Sequence, residues 1–168
     1  MVLMASIIAT GLLCGLWTLI STPLGLLGWA GFAGCTTYFT LGAGGSKDMR
    51  KAILCNIAGV GCGMLILILT NITAIPNGAA IFSGLVTCLM CVLGAKVLPI
   101  NYTPGIFMGC FSTFAANGNW FILVISLVCG AVLGFLCTKL GATFSIWGQK
   151  LLPKQDQMVT SKLSIKEK

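Results

Sequence analysis

The sequence predicts an all-α integral membrane protein of six transmembrane helices, arranged as two inverted three-helix repeats, and three observations carry that expectation. Of 168 residues, 57% are hydrophobic and 8% charged, with mean hydropathy +1.02, whereas a soluble domain carries about 25% charged residues. Residues 1–46, 52–95 and 97–138 contain no Asp, Glu, Lys, Arg or His. The stretch FAGCTTYF at 32–39 returns seventy-five residues later as FMGCFSTF at 107–114, with both phenylalanines, the glycine and the cysteine in register.

A spanning helix needs about 20 apolar residues, so each charge-free stretch suits two spans. Ser21-Thr22-Pro23 divides the first stretch, NITAIPNG at 71–78 the second and Asn117-Gly118-Asn119 the third. The helices are therefore expected near 3–21, 23–42, 51–70, 78–96, 100–117 and 119–139. Residues 1–140 form a membrane domain with repeats 1–70 and 78–140, and 141–168 an interfacial segment and basic cytoplasmic tail. Trp147 and Lys150 are expected to anchor that segment at the interface, which leaves the polar tail dispensable for insertion. No charge precedes Lys47, so the first helix is expected to be retained rather than cleaved as a signal peptide.

Orientation follows from the basic residues. Lys47, Arg50 and Lys51 fall in the second loop, Lys96 in the fourth, and Lys139, Lys150, Lys154, Lys162, Lys166 and Lys168 after the sixth helix. All ten lie on one side, which the positive-inside rule makes cytoplasmic, together with both termini. The net charge of +7 is drawn to the membrane surface rather than to nucleic acid, because no aromatic residues interleave the basic tail.

The echo reaches beyond the eight-residue motif. Pro23 precedes the first copy as Pro99 precedes the second, and Gly59-x-x-x-Gly63 returns as Gly130-x-x-x-Gly134. The offset falls from 75 to 71, which shortens the loop after the fifth helix by four residues. A unit of three spans leaves its second copy entering from the opposite side, so the repeats are inverted. The charges demand the same reversal: the loop after the second helix is basic and its counterpart after the fifth is neutral.

Inverted repeats place a substrate path at their interface near mid-membrane. Phe32, Cys35, Thr36 and Phe39 share an arc of about 100°, as do Phe107, Cys110, Phe111 and Phe114. These residues, with Ser112, either line a narrow path or pack helices together; in the first case Phe32 and Phe107 form its narrowest part. Gly34 and Gly109 lie outside the arcs, where a neighbouring backbone can approach. Gly11-x-x-x-Gly15, Gly59-x-x-x-Gly63, Gly105-x-x-x-Gly109 and Gly130-x-x-x-Gly134 serve close helix contact within a protomer or between protomers, and a homo-oligomer is expected through the third and sixth helices.

An enzyme is not expected. The chain has no histidine, and Asp48, Asp156 and Glu167 all lie on the cytoplasmic side. Nine cysteines are an odd number inside apolar helices, which suits free thiols, and Cys88-x-x-Cys91 lacks the second ligand pair that a metal site needs. No metal or cofactor is implied. An ion-coupled carrier keeps a charged residue within a span, and none is found. The expected function is a channel or facilitator passing a small neutral solute, with a non-transporting accessory subunit as the alternative.

The runs LGLLGWAGFAGCTTYF at 24–39, GG at 44–45 and PGIFMGCFSTFAANGNW at 104–120 resemble a bacterial inner-membrane family, domain of unknown function 1097. The resemblance covers residues 4–140. It implies a small protein of the bacterial cytoplasmic membrane and supplies no substrate or catalytic residues to carry over.

Overall fold

Six helices form in the expected order, and the turns and caps between them set lengths that differ from the expectation. The computed structural model describes residues 2–73 and 75–151. The helices are α1 (Val2–Ser21), α2 (Gly28–Thr40), α3 (Ser46–Thr73), α4 (Gly78–Lys96), α5 (Thr103–Ala115) and α6 (Trp120–Leu151). Four contain segments long and apolar enough to cross a bilayer: Leu3–Ser21, Ser46–Thr73, Gly78–Lys96 and Trp120–Trp147. The chain is a membrane protein.

Helices α2 and α5 correct the expectation of six equal spans. Each has 13 residues, about 20 Å of helix against a hydrocarbon core of about 30 Å. Pro23 does not start α2; it lies in a turn in which Gly25 N–H donates to Thr22 O at 3.1 Å and Leu26 N–H to Ser21 O at 2.9 Å. Gly25 takes a φ of 67° there, a conformation open to glycine. Helix α5 likewise waits for Thr103, with Pro104 in its first turn, where the missing N–H costs nothing.

Helix α3 exceeds expectation at both ends and α6 at its C-terminal end. Helix α3 begins at Ser46 because Asp48, in its first turn, accepts the Gly44 N–H at 2.8 Å and offsets the positive end of the helix dipole. Lys47, Arg50 and Lys51 therefore sit on the helix, not in a loop. Helix α6 does not stop at Lys139, whose ammonium stays in register 5.5 Å above the Phe135 ring, and the boundary placed at residue 140 falls inside it. The tail from residue 152 lies outside the described residues.

Packing exchanges partners between the halves. Helix α2 lies against α6 and α5 against α3, while α1 covers α6 and α4 covers α3. The short helices meet the long ones backbone to backbone. A Cβ on Gly130 would strike the Gly31 carbonyl, and one on Gly59 would strike the Ile106 carbonyl. Likewise Gly34 faces the Leu127 carbonyl, as Gly109 faces that of Asn56. Each contact maps onto its counterpart by 75 residues on the short helix and 71 on the long one.

Trp17 extends this frame to α1: its indole N–H donates to Gly28 O at 2.9 Å, and its ring fills the space a Cβ on Gly31 would need. Ser126 on α6 accepts the Leu27 N–H at 2.9 Å, so the turn before α2 enters the bundle with that donor satisfied. The glycines of α3 and α6 expected at a protomer contact are thus engaged inside the chain. Among the described residues, the helical glycines with no atom near a potential Cβ are Gly11, Gly15, Gly61 and Gly84.

Candidate functional site

Polar side chains are few inside the bundle, and those of α2, α3 and α5 gather where the short helices cross. Asn56, Thr37, Ser112 and Thr113 are all buried. Asn56 stands in the interior of α3 between Cys55 and Ile57, and the absence of a side chain on Gly109 lets α5 reach its backbone. Its Oδ1 accepts the Thr37 hydroxyl at 3.0 Å, and its Nδ2 has no partner. Exchanging the amide oxygen and nitrogen still leaves one of the two unpaired.

The Ser112 hydroxyl is also unpaired, and so is that of Thr70 toward the end of α3. Thr37 and Thr113 turn their hydroxyls back to the carbonyls of Ala33 and Gly109, at 3.1 and 3.0 Å, whereas Ser112 does not. A Cβ on Gly105 would meet Thr37 Cγ2 at 3.0 Å, so Thr37 lies beside the start of α5. Ser112 lies two turns further along that helix, about 10 Å away. Each unpaired buried group costs about 1–3 kcal/mol, which packing alone does not require. The residues equivalent to Asn56 and Thr37 by the repeat offsets are Leu127 and Ser112, so the amide belongs to one half only.

Beyond Ser112, at the end of the bundle where α3 finishes and α5 turns into α6, lies a cleft of about 410 Å³. Met64, Leu67, Ile68, Asn71, Phe114, Asn117 and Gly118 line it, two amides over an apolar and aromatic floor with no charge. The opposite end holds Lys47, Arg50 and Lys51 at the start of α3, Lys96 at the end of α4, and Lys139.

The structure divides the repeated stripe. Cys35, Cys110 and Ser112 point into the bundle, while Phe32, Thr36, Phe39, Phe107 and Phe111 face outward. Phe114 borders the cleft. Asn56 is not among the residues expected at the site, although a single amide within an otherwise apolar helix interior is a visible signal. Cys88 and Cys91 are exposed on α4 rather than packed, because that helix turns only one face to α3; all nine cysteines are free. Among the described residues no group of His, Cys, Asp or Glu is arranged to hold a metal ion.

Comparison with known proteins agrees with the membrane reading. The chain is 32% identical over 158 residues to the inner membrane protein YcdZ of Escherichia coli, covering 94% of this chain and 96% of that protein. It is 33% identical over 141 residues to YcdZ of Salmonella typhimurium, covering 83% and 88%. The uncharacterized protein YahC of E. coli is 23% identical over 145 residues, covering 80% and 87%. No solved structure matches. The family model for proteins of unknown function DUF1097 matches residues 7–142, and the chain belongs to that family.

Proposed function

We propose that the chain is a passive facilitator for a small uncharged solute in the bacterial inner membrane, built from two inverted repeats that cross the bilayer six times. Helices α2 and α5 complete their crossings with the segments before them, 22–27 and 97–102. The matched glycine contacts of α2 on α6 and α5 on α3 support the inverted arrangement. Basic side chains at one end support a cytoplasmic placing of that end and of both termini.

Among the three unpaired buried polar groups of the described residues, the third being Thr70 Oγ1, the observation that carries the function is the pair Asn56 Nδ2 and Ser112 Oγ. In a bundle that excludes water they offer replacement hydrogen bonds to a solute shedding its hydration, one on each side of the α2/α5 crossing. The uncharged cleft lies at the neutral end, and Phe114, two residues beyond Ser112, is in its lining. The interior lacks a fixed charge to pair with an ion, so the path favours neutral molecules. Such a route keeps Cys35, Cys110, Ser112 and Phe114 of the repeated motifs and leaves Phe32, Thr36, Phe39 and Phe107 to the outer surface.

Purified protein in liposomes tests this directly. Osmotic light scattering should record faster entry of urea, glycerol or a comparable uncharged solute than in protein-free liposomes, and equal rates for every solute in the panel refute it. Orientation has its own test. Thr73→Cys and Gly118→Cys should react with an impermeant thiol reagent on intact cells, and Ser46→Cys only after permeabilisation.

A second reading, a membrane subunit acting through association, is favoured by Gly11 and Gly15, which lie open on α1. These positions also suit contact between copies of the chain. Co-purification of another membrane protein, lost in Gly11→Leu, distinguishes a hetero-assembly from a homo-oligomer, which changes mass instead.

A further inference from the structure

The repeat offsets that relate the glycine contacts also relate the two ends of the bundle, and there the halves differ. Applied to the cleft, they carry Met64, Leu67, Ile68 and Asn71 onto Phe135, Thr138, Lys139 and Ala142, and Phe114, Asn117 and Gly118 onto Phe39, Gly42 and Ala43. The backbone supports this mapping independently. Gly42 N–H donates to Phe39 O and Asn117 N–H to Phe114 O, both at 3.0 Å. Both turns then place two consecutive residues at positive φ: Gly42 at 107° and Ala43 at 54°, Asn117 at 50° and Gly118 at 76°.

At one of these equivalent places lies a cleft; at the other lies a stack of Tyr38, half-buried Phe135 and exposed Lys139. Phe135 stands edge-on to the Tyr38 ring at 6.4 Å between centroids. Lys139 Nζ lies 5.5 Å above the Phe135 ring. Tyr38 is fully buried and its hydroxyl donates to Ala43 O at 3.1 Å, which fixes the stack to the turn. At the neutral end the same positions carry Met64 and Ile68, flexible or slender side chains with no polar head to anchor.

We infer that the basic end holds a second solute-access site, equivalent to the cleft and plugged by Phe135 and Lys139, so that the described conformation is open at the neutral end and closed at the basic end. This rests on the inverted-repeat facilitator proposed above. The site takes the same class of ligand, a small uncharged molecule with an apolar face. Thr138 supplies the hydroxyl that Leu67 lacks, and the Lys139 ammonium must swing toward the headgroups for the site to open. Its aliphatic stem and its attraction to the ring hold it closed at modest cost, as a reversible plug requires.

Reporter thiols at the two equivalent positions test the inference without reference to transport. Leu67→Cys and Thr138→Cys are labelled with a water-soluble maleimide in permeabilised membranes of the full chain, after subtraction of the parent protein's thiols. Leu67→Cys should react readily and Thr138→Cys slowly. Phe135→Met with Lys139→Ile, which gives the basic end the residues of the neutral end, should speed Thr138→Cys labelling by about tenfold, the effect of removing a ring and its cation contact from a two-state closure. The reverse exchange, Met64→Phe with Ile68→Lys, should slow Leu67→Cys labelling by a similar factor. Monodisperse elution qualifies each variant as folded, and either exchange alone decides the matter. Unchanged labelling in a folded variant overturns the plug. Changed labelling with no solute flux in liposomes leaves the plug standing and removes the facilitator reading.

Discussion

The helix crossings and the ends of the bundle obey opposite rules. At the crossings the halves agree contact by contact: Gly34 on Leu127 corresponds to Gly109 on Asn56, and Gly31 on Gly130 to Ile106 on Gly59. At the ends they diverge, a cleft with two amides on one side and a Tyr38, Phe135 and Lys139 stack on the other. Backbone-to-backbone contact leaves no room to vary, because a single methyl group displaces a whole helix. Side chains at the ends meet space rather than backbone and are free to specialise. Symmetry here builds the frame, and it fails locally at the two ends of the bundle.

The largest expected effect comes from breaking the frame. Gly59→Leu and Gly130→Leu should each prevent recovery of folded protein, and the alanine variants should lose about 1–3 kcal/mol by overpacking, similarly in both halves. Thermal unfolding in mild detergent measures this. A loss confined to one half contradicts the matched crossings. Trp17→Phe is next: it removes the bond to Gly28 O and part of the indole body against Gly31, about 1 kcal/mol for the bond alone. Helix α4 carries no tryptophan, so no matching loss of an indole bond is expected in the other half.

At the smallest end, Gly11→Ala and Gly84→Ala should leave unfolding unchanged or raise its midpoint, since neither glycine has an atom near its potential Cβ and alanine favours the helix by up to about 1 kcal/mol. A marked loss at Gly11 in dilute detergent, absent at Gly84, would instead place α1 in a contact between copies.

Much of this frame is legible in the sequence alone. The charge-free stretches and their breakers mark six helices, and the echo of FAGCTTYF sets the correspondence between the two halves. The lengths of α2 and α5 are not legible there, because a proline following a serine and a threonine starts a helix as readily as it holds a turn. Here the left-handed Gly25 decides for the turn. The end of α6 is hidden for a related reason: a lone lysine reads as the edge of the membrane, yet Lys139 is accommodated over Phe135 without leaving the helix.

The site is harder to read. Helical periodicity places Phe32, Cys35, Thr36 and Phe39 on one arc but does not say which edge faces lipid, and the structure turns the cysteine inward and the rings outward. An inventory of charges within the spans also passes over a neutral amide. Asn56 is the one such residue deep inside a long helix, and its counterpart Leu127 indicates what the frame alone would have accepted.

That counterpart supplies the most direct test of the account. Asn56→Leu places the residue of the second half in the first and removes the unpaired Nδ2, while Thr37 keeps its bond to Ala33 O. The protein should be as stable as the parent or more so, by up to about 1–3 kcal/mol, since an unmet buried group is removed. If the amide serves a solute, flux of an uncharged solute through liposomes containing this variant should fall by about tenfold, the loss of one good hydrogen bond at the barrier. Flux equal to the parent's in a variant of equal or greater stability would contradict the account.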